Sequence, residues 1–465
     1  MLLRQPHLAA MTIVLSCAGI LPAQEAADRA ARVRALEQRL ADLEARQTAD
    51  ARDLAATVDA VLRDAERRTA LLAASSDVSA GYDNGFFIRA GDAFLVRPLA
   101  VFQFRGIADW RQDTAGGKSD EIETGFEIAR LKFALAGYVF SRQFEYMFQW
   151  NTSSEGGGLD LEDAWARYIF ADNFSIRAGQ QKTPLHHEEL VREQYQLAVE
   201  RSLLNELLGG GFADYTQGVW LIYGGYQRDN PLNIEAGIND GFAQGNTDFR
   251  GRPEPLDDAA WTMPATGRPA PHSTDIGGTL RIEYKVMGNW NDYRDFTARG
   301  NREDLLVLGG GAGLAQLGDG DVWLATLDAQ YETASGLSVY KAILVRNMNS
   351  EALGGASSRT DWGALVQIGY MLSSACEIFG RYDVTFLDED VLFAGGGAED
   401  TFHEITVGCN WYLGRDGSAG HRAKVTLDLT YLPAGAPARN TDLGALDASD
   451  GQAEWILRGQ FQLII

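Results

Sequence analysis

This chain of 465 residues has little proline, little cysteine and few long apolar runs. The 12 prolines contrast with 51 glycines and an aromatic content of 10%, a balance that favours many strands and hairpins over packed helices. The 3 cysteines are too few for a disulfide framework. Beyond the N-terminal residues, no uninterrupted apolar stretch reaches the roughly 18 residues that a membrane-spanning helix requires. Any contact with a membrane therefore involves strands or only the protein surface.

Basic residues are also under-represented, since 41 Lys and Arg face 64 Asp and Glu and give a formal net charge of −23. Nucleic-acid binding needs clustered positive charge, so we expect no nucleic-acid partner. GxSxG, Walker A and CxxC motifs are absent from the sequence, and we expect neither catalysis nor a cofactor. His186 and His187 would diverge on a helix and lack a third ligand, so we interpret them as surface residues and expect no metal site.

The first residues have the features of an export signal. A positive start at Arg4 is followed by an apolar run from Leu8 to Leu21, which predicts a secretory signal peptide over residues 1–24. Cys17 stands in a sequence that weakly resembles a lipobox, and we interpret it as part of the apolar run. The chain is therefore expected to leave the cytoplasm.

Residues 25–76 have a helical composition. The stretch from Ala26 to Ala74 contains neither Pro nor Gly, and Val33, Leu36 and Leu40 fall at the a and d positions of a heptad pattern. This spacing predicts a self-associating α-helical coiled coil in the periplasm. A single charged helix or a partly disordered linker is the alternative.

From about Arg97 to the C-terminus the apolar period changes to two, within a predicted barrel domain of residues 77–465. In the run Phe144–Trp150, aromatic side chains occupy the even positions and Glu145, Met147 and Gln149 lie between them. About sixteen such runs, each of roughly 9–13 residues, follow one another with turn residues between them. We therefore predict an all-β transmembrane barrel of about 16 antiparallel strands, closed because lipid cannot satisfy an open sheet edge.

Strand parity predicts which basic side chains face the lumen. Arginine donates two parallel hydrogen bonds to an oxyanion, so a series of such residues would bind anions weakly at many points. The alternative is that they solvate a wide lumen and pair with inward acids such as Glu145, Glu283, Glu377, Asp383 and Asp428. The predicted inward residues are Arg97, Arg105, Arg130, Lys132, Arg167, Arg177, Arg281, Lys285, Arg381, Arg422, Lys424 and Arg458.

The segment from Thr183 to Leu208 interrupts the strand pattern and indicates short helical turns between two strands. A long structured loop of a barrel either folds inward or caps one mouth. If it folds inward, Lys182, Arg192 and Arg201 would lie at the constriction. Alternatively, Arg201 pairs with Glu200 or Glu206 as a structural contact.

Cys376 and Cys409 fall on successive strands and face outward by parity. We interpret them as small apolar residues facing lipid. A disulfide between them is the alternative.

Several stretches of the sequence form a set of motifs: Gly81–Arg89, Ala129–Phe133, Gly179–Pro184 followed by Glu188–Leu190, Glu200–Leu203 and His421–Leu427. Together they resemble the phosphate-selective porin O and P family. The resemblance spans roughly residues 80–465 and implies a trimeric outer-membrane channel with a lumen suited to anions, phosphate or polyphosphate. Two features depart from the family pattern: the acidic balance, and the C-terminal Ile465 in place of an aromatic residue. Phe461 and Trp455 share a strand face with Ile465 and are expected to serve instead.

The sequence thus predicts an outer-membrane porin for passive uptake of small hydrophilic solutes, anionic or neutral, in contact with outer-membrane lipid. One alternative is a structural protein that anchors the envelope by contacting the cell wall through its coiled coil. An outer-membrane phospholipase or protease is the enzyme alternative, although no residue set marks one.

Overall fold

The structure is a computed structural model that falls into two compact units, Met1–Asp77 and Val78–Ile465. The predicted signal peptide at residues 1–24 lies outside the described residues. In the first unit the described residues are helical, and Arg63 donates to Asp59 one turn away at 2.7 Å. Association of this helix into a coiled coil stays a prediction. The described residues are 33, 35–40, 59, 63, 78–83, 85–111, 122–152, 157–226, 229–242, 276–317, 320–349, 358–388, 400–436 and 452–465.

The second unit is built from antiparallel strands. A hairpin of β1 and β2 is followed by sixteen strands, β3 to β18, each paired with its neighbours along the chain. The strands are β1 Val78–Tyr82, β2 Phe86–Ala90, β3 Phe94–Arg111, β4 Ile122–Val139, β5 Ser141–Thr152, β6 Leu159–Ala171, β7 Phe174–Lys182, β8 Tyr215–Tyr223, β9 Leu232–Asn239, β10 Ile276–Met287, β11 Leu305–Leu317, β12 Gly320–Glu332, β13 Leu337–Asn349, β14 Ser358–Ser373, β15 Cys376–Phe386, β16 Thr401–Tyr412, β17 Ala423–Leu432 and β18 Glu454–Ile464.

The last strand pairs with the first strand of the sixteen. β18 runs antiparallel to β3, from Glu454 opposite Arg111 to Ile464 opposite Val101. This pairing closes the sheet, which leaves no open edge between β3 and β18. The prediction of a closed barrel of sixteen antiparallel strands is therefore confirmed.

Burial alternates with period two along the barrel strands. On β18, Arg458 is 0% exposed inside the barrel, whereas its neighbour Leu457 is 39% exposed outside. Phe461 and Ile465 share the outer face with Trp455, as the sequence predicted. An inner polar face and an outer apolar face are typical of a barrel in lipid.

Cys376 and Cys409 are both free thiols. Cys376 lies opposite Trp411, and Cys409 lies opposite Ile378. The two cysteines therefore occupy diagonal positions on neighbouring strands and form no disulfide. Within the described part of the chain, no helix is long and apolar enough to cross a membrane.

The segment between β7 and β8 folds into the barrel. Its short helices are α1 His187–Leu190, a 3₁₀ turn Glu193–Tyr195, α2 Leu203–Leu208 and α3 Gly210–Ala213. We call residues 183–214 the inserted segment. Leu203, Leu204 and Leu208 are each 0% exposed and pack with apolar residues of β13 to β18.

Glycines on the inner wall make room for the inserted segment. A Cβ atom on Gly311 of β11 would lie 2.5 Å from the carbonyl oxygen of Leu185. A Cβ atom on Gly363 of β14 would lie 2.4 Å from a methyl carbon of Leu204. Both contacts are too short for any larger residue, so these glycines allow the segment to approach the wall.

A second segment packs against the first. The connection from β10 to β11, residues 288–304, contains a 3₁₀ turn at Asp292–Arg294, and we call it the inward turn. Trp290 and Tyr293 are each 2% exposed and Phe296 is 1% exposed. The ring of His187 stacks on Tyr293 with centroids 3.9 Å apart. The inserted segment and the inward turn thus form one packed unit.

Candidate functional site

Glu200 of the inserted segment is held by two strands of the barrel. Its carboxylate accepts hydrogen bonds from Arg105 of β3 and, at 2.6 Å, from Arg130 of β4. Burial opposes ionisation of Glu200, but the attraction of Arg130 and Arg105 outweighs it and lowers the pKa to about 2. The carboxylate therefore stays charged at neutral pH and ties the inserted segment to the wall.

The opposite wall holds the inserted segment through its carbonyl groups. Arg381 of β15 pairs with Glu404 at 2.7 Å and donates to the backbone oxygens of Glu200 and Arg201 at 2.9 and 3.1 Å. Lys424 of β17 donates to the backbone oxygen of Gln196 at 2.7 Å. These inward cations therefore position a protein segment, and a solute cannot reach the atoms that they bind.

Asp428 of β17 links another wall arginine to the same segment. Its carboxylate accepts from Arg458 of β18 at 2.8 Å and from the backbone N–H of Val199 at 2.8 Å. Arg458 and Asp428 are both fully buried. A buried pair of this kind is costly to break, because either charge alone would be left uncompensated.

Arg201 pairs within the inserted segment, but with partners other than the predicted Glu200 or Glu206. Its guanidinium lies 3.2 Å from Glu189 and 3.3 Å from Glu193, and it donates to the backbone oxygen of Val191 at 2.9 Å. Burial opposes the charged form of Arg201, but Glu189 and Glu193 raise its pKa. Arg201 therefore makes a structural contact, as the second alternative predicted, but its partners are Glu189 and Glu193.

Glu193 also receives two lysines from the barrel wall. Lys132 of β4 lies 3.2 Å from it and Lys182 at the end of β7 lies 3.1 Å from it. Lys132 also pairs with Glu162 at 2.8 Å. Lys132 and Lys182, two of the predicted lumen lysines, are thus neutralised by carboxylates.

Arg281 of β10 anchors the beginning of the inserted segment. It forms a two-fold contact with Asp328 at 2.9 Å, pairs with Glu283 at 2.7 Å and donates to the backbone oxygen of Leu185. Tyr293 of the inward turn lies 3.1 Å from the same guanidinium. Arg281 therefore connects the wall with both inner segments.

Two inward arginines pair along the wall of β5 to β9. Arg167 lies 3.3 Å from Glu145, and Arg177 pairs with Glu235. The guanidinium of Arg177 also lies 5.4 Å from the ring centroid of Trp165, a cation–π distance. Each of these cations has a carboxylate partner.

The remaining predicted residues lie near the end of the barrel with the short turns. Arg97 donates to the backbone oxygen of Asp83 at 2.9 Å, and the Lys285 ammonium lies 5.6 Å from the ring centroid of Trp290. Arg422 lies in the turn before β17 and donates to the Tyr82 hydroxyl at 2.8 Å. These three contact the N-terminal hairpin or the inward turn.

Among the described residues, two adjoining cavities lie between the inserted segment, the inward turn and the wall. The upper cavity, of about 430 Å³, reaches towards β6, β7, β9 and β10 and has a polar lining that includes Asp163, Gln181 and Asn233. The lower cavity, of about 520 Å³, lies beside the inward turn and includes Leu99 and Met147. The cavities adjoin, because both are lined by Leu190, Arg192, Tyr226 and Arg294.

Arg192 and Arg294 are the cations at this junction. The Arg192 side chain is 30% exposed and lies 3.2 Å from Asp163, with a further hydrogen bond to Gln149. Arg294 is exposed and has no ion pair among the described residues. The strand pattern could not reveal Arg294, because it lies in a turn. An arginine beside the aromatic residues of Trp290–Phe296 was the only available signal.

Tyr226 lies at the same junction in an unusual conformation. Its φ of 61° is in the left-handed region, although it is not a glycine. Such a conformation costs energy and persists only where surrounding contacts hold it. Its ring packs edge-on against Trp290 with centroids 5.2 Å apart, so the inward turn provides one such contact.

The interpretation of His186 and His187 as surface residues is wrong. They are 2% and 3% exposed, because the inserted segment folds into the barrel. His187 bonds to Gln330 at 2.8 Å. No group of three or more potential metal-binding side chains occurs among the described residues.

Comparisons with known proteins agree with this architecture. The family model for phosphate-selective porin O and P matches residues 104–226, which include the motifs at Ala129–Phe133, Gly179–Pro184 and Glu200–Leu203. No curated protein matches the sequence at a significant level.

Several solved porin structures are similar to this chain at low sequence identity. An anion-selective porin from Comamonas acidovorans is 11% identical, with a TM-score of 0.53 over 80% of this chain and 99% of that chain. OmpF of Salmonella typhi is 13% identical, with a TM-score of 0.49 over 83% of this chain and 100% of that chain. The DcaP channel of Acinetobacter baumannii is 11% identical, with a TM-score of 0.47 over 79% of this chain and 97% of that chain.

The family match confirms the resemblance inferred from the motifs, and the first of these structures shows the porin fold. The barrel is thus an outer-membrane channel for small solutes, and its residues 104–226 match the family model for phosphate-selective porin O and P.

Proposed function

We propose that this porin is a passive channel that prefers anions, and that the preference arises where the two cavities adjoin. The lining of the cavities supports this, because its charge differs in sign from that of the whole chain. Basic residues outnumber acidic ones there: Arg177, Lys182, Arg192, Arg281 and Arg294 against Asp163, Glu235 and Asp295. A pore selects by the charges at its narrowest part, so the net charge of −23 does not set the selectivity.

Most of these cations are already paired, which narrows the proposal to two side chains. Arg294 has no ion pair among the described residues, and Arg192 is partly exposed beside Asp163. Guanidinium groups bind oxyanions through parallel donors without losing their charge at any physiological pH. The pair would attract anions to the junction while leaving them weakly enough bound to pass.

The proposed site consists of Arg192 and Arg294 rather than a long series of free cations along the lumen. The predicted inward residues Arg105, Arg130, Lys132, Arg381 and Arg458 have carboxylate partners that leave little charge for a solute. A role for them in lining the solute path stays a prediction. Their contacts support a role in holding the inserted segment.

The reversal potential of single channels in a KCl gradient tests the proposal. We expect an anion preference in the native protein and a clear shift towards cations in Arg294→Glu. Arg302→Glu is the matched control, because Arg302 is exposed on the same inward turn but lines neither cavity. A native cation preference, or equal shifts in both variants, would contradict it. Hydrolysis of lipid or protein by the folded barrel in detergent would instead favour the enzyme alternative.

We further propose that residues 25–76 lie in the periplasm and hold three copies together. Val33, Leu36 and Leu40 are 50%, 63% and 59% exposed on the helix of a single chain, which supports burial against other copies. The exposed apolar outer face of the barrel supports contact with outer-membrane lipid. Deleting residues 25–76 should weaken trimers in detergent. Weakened attachment of the envelope to the cell wall, with conductance unchanged, would support the anchoring function.

A further inference from the structure

We infer that the lower cavity selects organic anions with an apolar body, such as aromatic carboxylates or phosphate monoesters, over small inorganic anions. The inference rests on the proposed anion preference and specifies which class of anion the channel binds best. It differs from the phosphate or polyphosphate that the family resemblance implies.

The two cavities offer different surroundings on either side of the same arginines. The upper cavity presents mainly charged and amide side chains. The lower cavity presents Leu99, Met147, Leu190 and Val191. An oxyanion held by Arg192 and Arg294 would therefore have an apolar surface on only one side.

Aromatic rings complete the lower cavity. Tyr195, Tyr226 and Tyr293 line it, and Tyr293 is fixed by its stacking on His187 at 3.9 Å. Rings that are already packed lose little freedom when a flat solute lies beside them. The volume of about 520 Å³ lies within the range of small-molecule sites and far exceeds what a single phosphate ion requires.

Met147 connects the apolar lining with the charged one. Its sulfur accepts from the Arg192 guanidinium at 3.3 Å, and its side chain faces the lumen from β5. A solute whose oxyanion contacts Arg192 would therefore place its body next to Met147. Inorganic phosphate makes the first contact but gains nothing from the second, because it buries no apolar surface.

Block of single-channel KCl current by added solutes tests this inference. The probes are benzoate, phenyl phosphate, acetate, inorganic phosphate and the neutral benzamide. We expect half-block by benzoate at a concentration at least about tenfold below that for acetate, equivalent to about 1.4 kcal/mol. The same advantage is expected for phenyl phosphate over inorganic phosphate, whereas benzamide should block weakly. The two aromatic anions reveal whether the carboxylate or the phosphate is preferred.

Variants attribute the effect to the lower cavity. Met147→Gln should reduce the ratio of acetate to benzoate blocking concentrations several-fold, and Met147→Leu should preserve it. Met287→Gln makes the same chemical change on the outer face of β10, where Met287 is 40% exposed, and should leave the ratio unaltered. Using a ratio removes any general effect of a variant on conductance.

The outcomes separate this inference from the proposed function. A native cation preference in the reversal potential overturns the proposed function and this inference together. An anion preference with equal block by benzoate and acetate overturns this inference alone. Equal block by benzamide and benzoate would likewise overturn it, because the site would then recognise the ring without the charge.

Discussion

Removing the charge of Glu200 should loosen the inserted segment. In Glu200→Gln, the buried guanidinium groups of Arg105 and Arg130 lose the carboxylate that they share. Breaking a buried ion pair by removing one partner costs about 3–5 kcal/mol. The ratio of displaced to seated segments would rise by roughly two to nearly four orders of magnitude. We expect larger conductance steps and increased open-channel noise in planar bilayers.

Glu127 provides the matched control. It also pairs with Arg105, but its side chain is 37% exposed and its removal leaves Arg105 bound to Glu200. An exposed pair contributes about 0–1 kcal/mol, so Glu127→Gln should resemble the native channel. Adding Arg130→Gln to Glu200→Gln should recover part of the loss, because one unpaired charge is then removed. Native conductance and noise in Glu200→Gln, or equal effects in both single variants, would refute the reasoning.

Three further expectations concern pH, packing and ionic strength. Burial lowers the pKa of His187 to about 4 despite the opposing charge of Asp328, so the ring is neutral in the folded protein at neutral pH. Stability should therefore fall by up to about 3 kcal/mol as pH drops from about 6.5 to 4, and thermal unfolding of His187→Gln should show a smaller decrease. Gly311→Ala should displace Leu185 and lower the free energy of unfolding by about 1–3 kcal/mol, as measured by thermal unfolding. Gly310→Ala should have little effect, because its Cβ atom would contact only the Leu327 side chain at 3.1 Å and a more distant backbone oxygen. Anion preference should weaken when KCl is lowered to about 0.01 M. The Debye length is then about 30 Å, so the negative charge of distant acidic residues repels anions at the junction. A preference that strengthens in dilute salt would contradict this last expectation.

The barrel could be predicted because strand formation follows from a pattern among residues that are close together in the sequence. The period of two places Arg381 and Arg458 on the inner face from their sequence neighbours alone, and closure follows from the need to pair every strand edge. The partners of these residues could not be predicted in the same way. Arg381 contacts the carbonyl groups of Glu200 and Arg201 across 181 and 180 positions of the chain. No periodicity relates residues so far apart.

The same distinction explains which site residues were found. Arg192 was predicted at the constriction because the interruption of the strand pattern marked its segment. Arg294 was missed because it lies in a connection between two regular strands, and connections of this kind usually stay outside a barrel. The inward turn is held inside the barrel by two contacts. The His187 ring stacks on Tyr293, and the Gln330 side chain donates to the backbone oxygen of Asp295. Those partners belong to the inserted segment and to β12.

In the proposed function, the charge of the whole chain and the charge met by a solute are set by different residues. Several inward acids of the barrel neutralise inward cations beside the inserted segment, as Asp428 does for Arg458 and Glu404 does for Arg381. A neutralised pair has little field beyond its own length, and physiological salt screens exposed charges over about 8 Å. In the proposed function, a solute meets the small excess of positive charge at the junction of the two cavities. In that proposal the excess depends on Arg294, which has no ion pair among the described residues, rather than on composition, so an acidic channel can present a basic constriction.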